Sequence, residues 1–128
     1  MWPREGTVLT VSSRALVAAC ERLGLDTEAL LRSAGIQRER LEDPDARLQN
    51  REAGALWAKA YELSGDPVLS LHVAEACPVG AYKVIDYMGA NARTAGEAFR
   101  YTARYFPLVN TAVRLTIDES GDPVTFDV

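Results

Sequence analysis

Val113-Arg114-Leu115-Thr116-Ile117-Asp118 alternates apolar and polar residues one by one, and this change of period decides the fold class. In an extended strand successive side chains point to opposite faces, so Val113, Leu115 and Ile117 share a buried face while Arg114, Thr116 and Asp118 meet water. Ser120-Gly121-Asp122-Pro123 supplies turn chemistry, and Val124, Phe126 and Val128 alternate again to the last residue. The pattern predicts a β-hairpin. A lone hairpin is marginal in water, and the second run reaches residue 128 without a stop signal. The hairpin is therefore expected to belong to a larger antiparallel sheet that the chain truncates, and to associate through its unpaired edge.

Upstream of the hairpin the period is helical, so the fold class is α+β, mainly helical to about residue 110. Residues 1–11 carry little pattern and read as a loose N-terminal arm. Ser12 and Ser13 are candidate caps for a helix with Leu16, Val17, Cys20 and Leu23 at helical spacing, and Gly24 stands where a left-handed cap is wanted. Asp26 opens a short helix through Leu30 and Leu31 that Gly35 ends. Polar residues follow from Gln37 to Asn50, with a turn at Glu39-Arg40-Leu41 and Pro44 blocking a long helix. Asn50 is the expected cap of a helix whose apolar face holds Leu56, Trp57, Ala60, Tyr61 and Leu63, with Gly65 as its stop. Asp66-Pro67 is a restart signal for a helix through Leu69, Val73 and Ala76. A further apolar segment runs from Val84 to Met88. Thr94 and Glu97 form a capping box opening a helix with Ala98, Phe99, Thr102, Tyr105 and Phe106.

Composition removes several classes of function. The chain has 128 residues, 48% apolar and 25% charged, which suits one globular domain able to bury a core without staples. No apolar run approaches the roughly 20 residues of a membrane helix, and the start lacks a signal-peptide core. The expected address is the cytoplasm, with no membrane partner. With 14 basic against 18 acidic residues the net charge is −4, which opposes a phosphate-gripping role. Cys20 and Cys77 stand far apart and His72 is the single histidine, so neither a disulfide framework nor a metal site is expected, and both cysteines read as small core residues.

No catalytic constellation emerges. His72 sits between Leu71 and Val73 with no nucleophile nearby in the chain, and Glu42, Asp43 and Asp45 lack the ligand spacing of a calcium loop and read as solvated capping residues. The chain is read as no enzyme, with no cofactor. The first two helices can be compared with a helix-turn-helix, whose recognition helix would be Thr27 to Ser33. Glu28 at its start, beside Asp26, opposes phosphate, and Arg32 is its single basic residue. A helical hairpin packed on the rest of the domain is the favoured reading.

The run from Gly24 to Ile36 resembles the opening of the N-terminal effector-binding ("arabinose-binding"-type) domain of AraC-family bacterial transcription regulators. The likeness continues through Leu41 to Leu48, Trp57, Glu62 to Leu71, Thr94 to Phe99 and Arg104-Tyr105. It implies a helical half packed on an antiparallel sheet, a role in sensing a small molecule and in dimerisation, and in full-length members a following double helix-turn-helix domain. Residues 12–128 would then be the N-terminal part of such a regulatory domain, with the rest of the sheet and the DNA-binding domain missing. DNA would be bound only through that missing domain. The expected partners are a small organic effector and a second copy of the chain. Effectors differ across the family, so arabinose does not follow. Two further readings stand beside this one: a stand-alone helical interaction or scaffold domain, and a direct DNA-binding module.

The expected effector site lies between the helices carrying Trp57, Tyr61 and Tyr87 and the sheet begun at Val113. These residues offer apolar surface with hydroxyl and indole donors. No clustered arginines mark an anion site, so a neutral or weakly polar ligand is favoured over a phosphate. Plain core packing of all three aromatics is the competing reading. Removing the hydroxyl of Tyr61 or Tyr87 is expected to weaken ligand binding and leave the unliganded melting point nearly unchanged.

Overall fold

The computed structural model describes residues 5–121 and the backbone of 125–127. They fall into two compact units, residues 1–78 and 79–128. Asp122, Pro123, Val124 and Val128 of the expected hairpin lie outside the described residues, as do residues 1–4 of the expected arm.

The first unit begins with a strand where the sequence shows no pattern. β1 (Thr7–Leu9) pairs antiparallel with β2 (Arg47–Gln49), in the register Thr7↔Gln49, Val8↔Leu48 and Leu9↔Arg47. Val8 and Leu48 are buried together on the core side of this pair. The ladder is extended by Asn50 N–H donating to the Gly6 carbonyl and Thr10 N–H donating to the Ala46 carbonyl. Arg47 reinforces it from the side, its guanidinium donating to Thr7 Oγ1 at 2.8 Å and to the Thr7 carbonyl at 3.2 Å. The expectation of a loose arm to residue 11 is thus corrected for residues 7–11. Three residues are too few for an alternation signal, and the partner strand lies some forty positions away.

Helix α1 (Val11–Arg22) starts at Thr10 rather than at Ser12 or Ser13. Thr10 is fully buried, and its hydroxyl donates to the Asp43 carbonyl instead of capping the helix. The exit follows expectation: Gly24 takes φ +74°, and the N–H groups of Gly24 and Leu25 return to the carbonyls of Glu21 and Cys20. Ser13, inside α1, is fully buried, and its hydroxyl has no hydrogen-bond partner among the described residues. A buried hydroxyl without a partner costs free energy, and alanine is the better helix former. Ser13→Ala is expected to stabilise the fold by about 1 kcal/mol. A urea titration checks this, and a lowered midpoint would show that the hydroxyl has a use.

Helix α2 (Thr27–Ala34) forms as the sequence predicts, with Asp26 Oδ1 accepting from Ala29 N–H at 3.0 Å and Gly35 closing it at φ +69°. α3 (Arg38–Glu42) is the expected turn at Glu39-Arg40-Leu41. Arg38 ties α1, α2 and α3 together, donating to Glu21 Oε1 at 3.0 Å, Glu28 Oε1 at 2.6 Å and Thr27 Oγ1 at 2.9 Å. α4 (Asn50–Ser64) is capped by Gln49 and not by Asn50. Glu52 accepts the Gln49 N–H at 2.8 Å and holds Arg40 with both oxygens, while Asn50 is itself buried in the first turn. Leu56 and Ala60 are buried and Trp57 and Tyr61 half-buried, but Leu63 is 44% exposed and leaves the expected face. α4 packs on α1, α2 and the β1–β2 pair, and α1 packs on α5 (Leu69–Ala76). α5 begins two residues later than Asp66-Pro67 suggests, because those residues make a turn first. Asp66 takes the Val68 N–H on its carboxylate and the Leu69 N–H on its carbonyl. Cys20 is buried as expected, whereas Cys77 is half-buried just beyond α5.

The second unit contains α6 (Val84–Ala90), α7 (Ala95–Tyr105), a 3-10 turn at Phe106–Leu108, and the antiparallel strands β3 (Thr116–Asp118) and β4 (Thr125–Asp127). Thr116 faces Asp127, Ile117 faces Phe126 and Asp118 faces Thr125. The alternation holds from Val113: Leu115 is buried and Val113 and Ile117 are half-buried, while Arg114, Thr116 and Asp118 are exposed. Thr94 caps α7 by accepting the Glu97 N–H, but Glu97 turns to the Arg93 N–H, so half of the expected box forms. α7 packs on α6 and meets β3, yet it buries none of its own residues. Phe99, expected on the inner face, is 55% exposed. The fold class is α+β, as the sequence predicts.

Candidate functional site

Trp57 and Tyr61 are one helical turn apart on α4, which places them on the same face. Their ring centroids are 6.2 Å apart at an interplanar angle of 36°. Both pack on the edge of the first unit's core. Tyr87 belongs to the second unit. It is 60% exposed, and its ring lies over Gly80, where a Cβ would stand 2.9 Å from the phenol oxygen. Gly80 has φ +92°, so the backbone favours glycine there, whereas the exposed Tyr87 ring could move aside for a Cβ. The Gly80–Lys83 loop is held by Asp86, which accepts the N–H groups of Gly80 at 2.8 Å and Tyr82 at 3.1 Å. Of the three aromatics singled out in the sequence, the structure brings Trp57 and Tyr61 together in one unit.

The Tyr61 hydroxyl has structural employment. It accepts the Ser70 N–H at 3.2 Å, one of the N-terminal donors of α5 that the helix itself leaves without a partner. Tyr61→Phe is therefore expected to destabilise the unliganded protein by about 1 kcal/mol, which corrects the sequence-based expectation of an unchanged melting point. Tyr87 has no hydrogen-bond partner for its hydroxyl among the described residues, so Tyr87→Phe should stay within about 0.5 kcal/mol of the parent. Chemical denaturation of the two variants side by side checks the contrast, and equal midpoints would show that the Ser70 bond contributes nothing.

Asp66 organises the turn between α4 and α5. One carboxylate oxygen takes the Val68 N–H at 2.9 Å and the other meets His72 Nδ1 at 2.6 Å. The Val68 bond first, and the imidazole after it, hold this carboxyl below the usual aspartate range. An ionised Asp66 accepts, so Nδ1 carries the proton and Nε2 is the remaining polar atom of the His72 ring. No hydroxyl or thiol is hydrogen-bonded to His72 among the described residues, so the His–Asp pair has no nucleophile to activate.

Beside His72 lies an open groove of about 310 Å³ between α1 and α5. Ala19, Arg22 and Leu23 form one wall, and His72, Glu75 and Ala76 form the other. Sequence reasoning missed it because nothing local marks Arg22 and Glu75 as neighbours; their helices meet only in the folded chain. α2, the helix that could be compared with a recognition helix, buries Leu30 and Leu31 and packs on α4, and its first-turn Glu28 is engaged by Arg38. α2 is a packing helix. Among the described residues, no helix is long and apolar enough to cross a membrane.

Comparisons with known proteins agree with the segments quoted from the sequence. A family model described as the arabinose-binding domain of AraC transcription regulators, N-terminal, matches residues 24–128. The ornithine utilization regulator of Pseudomonas aeruginosa is 25% identical over 105 residues, which cover 82% of this chain and 31% of that protein. The chain thus spans about a third of the curated relative it matches. With the family model covering everything from the end of α1 onward, the chain belongs to the family of arabinose-binding-type N-terminal domains of AraC transcription regulators.

Proposed function

We propose that this chain is the small-molecule-sensing and dimerisation part of an AraC-type transcription regulator, with DNA bound by helix-turn-helix elements outside these residues. The family match over residues 24–128 carries the reading. The net charge of −4 and the acidic first turn of α2 support placing DNA contact elsewhere. The matched relative is named for ornithine utilization, which supports a small organic metabolite as effector and cytoplasmic sensing. Trp57 and Tyr61, side by side on α4, remain proposed contacts for it, and the edge of the β3–β4 pair a proposed contact between copies.

Three measurements test the parts separately. Thermal scans against a panel of cytoplasmic metabolites should find a compound that raises the melting midpoint, since a ligand binding only the folded state stabilises it. Sedimentation velocity should show a dimer whose fraction grows with concentration; a monomer throughout overturns the dimerisation half. Fluorescence anisotropy at low salt should show no submicromolar, steeply salt-dependent DNA binding by this chain. A second reading, a stand-alone interaction domain, is favoured by the exposure of Phe99 and Leu108. It predicts a protein partner and no metabolite that stabilises the fold.

A further inference from the structure

We propose that the groove between α1 and α5 is a site for a free α-amino acid, with Arg22 receiving the carboxylate and Glu75 the ammonium. The proposal rests on the sensing reading, names its ligand class and puts that ligand in this groove, which Trp57 and Tyr61 do not line. Charge is its first support. Arg22 and Glu75 stand on opposite walls of the groove, and neither has an ion pair or side-chain hydrogen bond among the described residues. Arginines 38, 40 and 47 of this unit are engaged by named partners; Arg14 and Arg32, like Arg22, have none among the described residues, and Arg22 differs from them in lining the groove. A cation and an anion held apart on the two walls match a zwitterion, because its opposite charges are also held apart within one small molecule.

The helices strengthen the assignment. Arg22 lies in the last turn of α1 and Glu75 in the last turn of α5, so both helices direct their C-terminal ends toward the groove. Those ends carry partial negative charge, which favours an ammonium group and opposes a carboxylate, so the carboxylate depends on the Arg22 guanidinium. His72 adds a third polar contact. With Nδ1 held by Asp66, its Nε2 is oriented rather than free to rotate. Ala19, Leu23 and Ala76 leave short apolar walls for a side chain. The volume of about 310 Å³ sits at the small end of ligand sites, which suits a metabolite of amino-acid size.

Thermal scans on the chain with the twenty standard L-amino acids and L-ornithine, one at a time, test the proposal. At least one should raise the midpoint, by roughly 10 °C at a hundredfold excess over its Kd. Its α-carboxamide and its des-amino analogue should each bind at least tenfold more weakly. Arg22→Gln should erase the preference over the carboxamide, and Glu75→Gln the preference over the des-amino analogue, while both variants stay within a few degrees of the parent's unliganded midpoint, Arg22→Gln slightly below it because it removes a cation from the end of α1. Those paired losses are not expected from a general weakening of the fold. If an amino acid stabilises the protein and both variants keep full discrimination, the groove is overturned and the sensing reading stands. The groove is likewise overturned, with sensing intact, if no amino acid acts but another metabolite stabilises the chain. If no metabolite of any class does so, both readings fail.

Discussion

Leu56→Ala lowers the unfolding free energy by about 3 kcal/mol and the melting midpoint by roughly 10 °C. Leu56 has no exposed surface, and the helix that carries it packs on α1, α2 and the β1–β2 pair at once. Truncation removes the transfer free energy of the side chain and also leaves a cavity. That cavity closes only if one of the surrounding elements moves. The Arg38 contacts to Glu21, Glu28 and Thr27 and the Arg40–Glu52 pair restrain such movement. Leu63→Ala on the same helix is the control, because its side chain is 44% exposed, and it should cost less than about 1 kcal/mol. Thermal unfolding followed by circular dichroism compares them. Equal losses would mean that the core does not run along α4 as described.

Glu52→Gln costs about 1–2 kcal/mol at neutral pH, and its effect depends on pH with a defined sign. Glu52 holds Arg40 through both oxygens and accepts the Gln49 N–H that would otherwise lack a partner at the start of α4. Hydrogen bonding from Arg40 is the largest influence on the Glu52 carboxyl; together with the Gln49 bond it outweighs burial and holds this group below the usual glutamate range. A group whose pKa is depressed by folding stabilises the fold fully above its unfolded value, about 4.3 for glutamate. That contribution disappears as pH falls through the lower folded value. The stability gap between parent and variant should therefore be flat above about pH 5.5 and close as the pH drops below about 4. Arg40 is partly exposed, which keeps the gap modest. A gap that widens toward acid would reverse the assignment.

Both variants probe what the proposed site stands on. Leu56 supports the helix that presents Trp57 and Tyr61, and Glu52 anchors that helix's first turn. A loss of ligand response in either would reflect a shifted scaffold rather than a lost contact. The changes at Arg22 and Glu75 are exposed and touch neither support.

How much of the fold and site was legible in the sequence follows from the range of each interaction. Asp26 before α2, Gly35 and Gly65 after α2 and α4, and Thr94 before α7 are decided within three or four residues, so each could be read directly. The alternation through Val113, Leu115 and Ile117 is equally local, and so were the ordered segments that identify the family. Gln49 displaced Asn50 as the cap of α4 because Asn50 is drawn into the core, which is a tertiary effect.

The sequence by itself determined the helical periods, most of their stops, the strand alternation near the end and the family. Only the tertiary structure decided the rest: the β1–β2 pairing, the Arg38 and Arg40 contacts, the engagement of the Tyr61 hydroxyl by Ser70, and the meeting of Arg22 with Glu75 across one groove. The physical reason is separation along the chain. Periodicity and capping act within one or two turns, whereas these contacts join residues from nine to more than fifty positions apart. Their geometry exists only once burial of Leu16, Leu30, Leu48, Leu56 and Leu69 has brought the elements together.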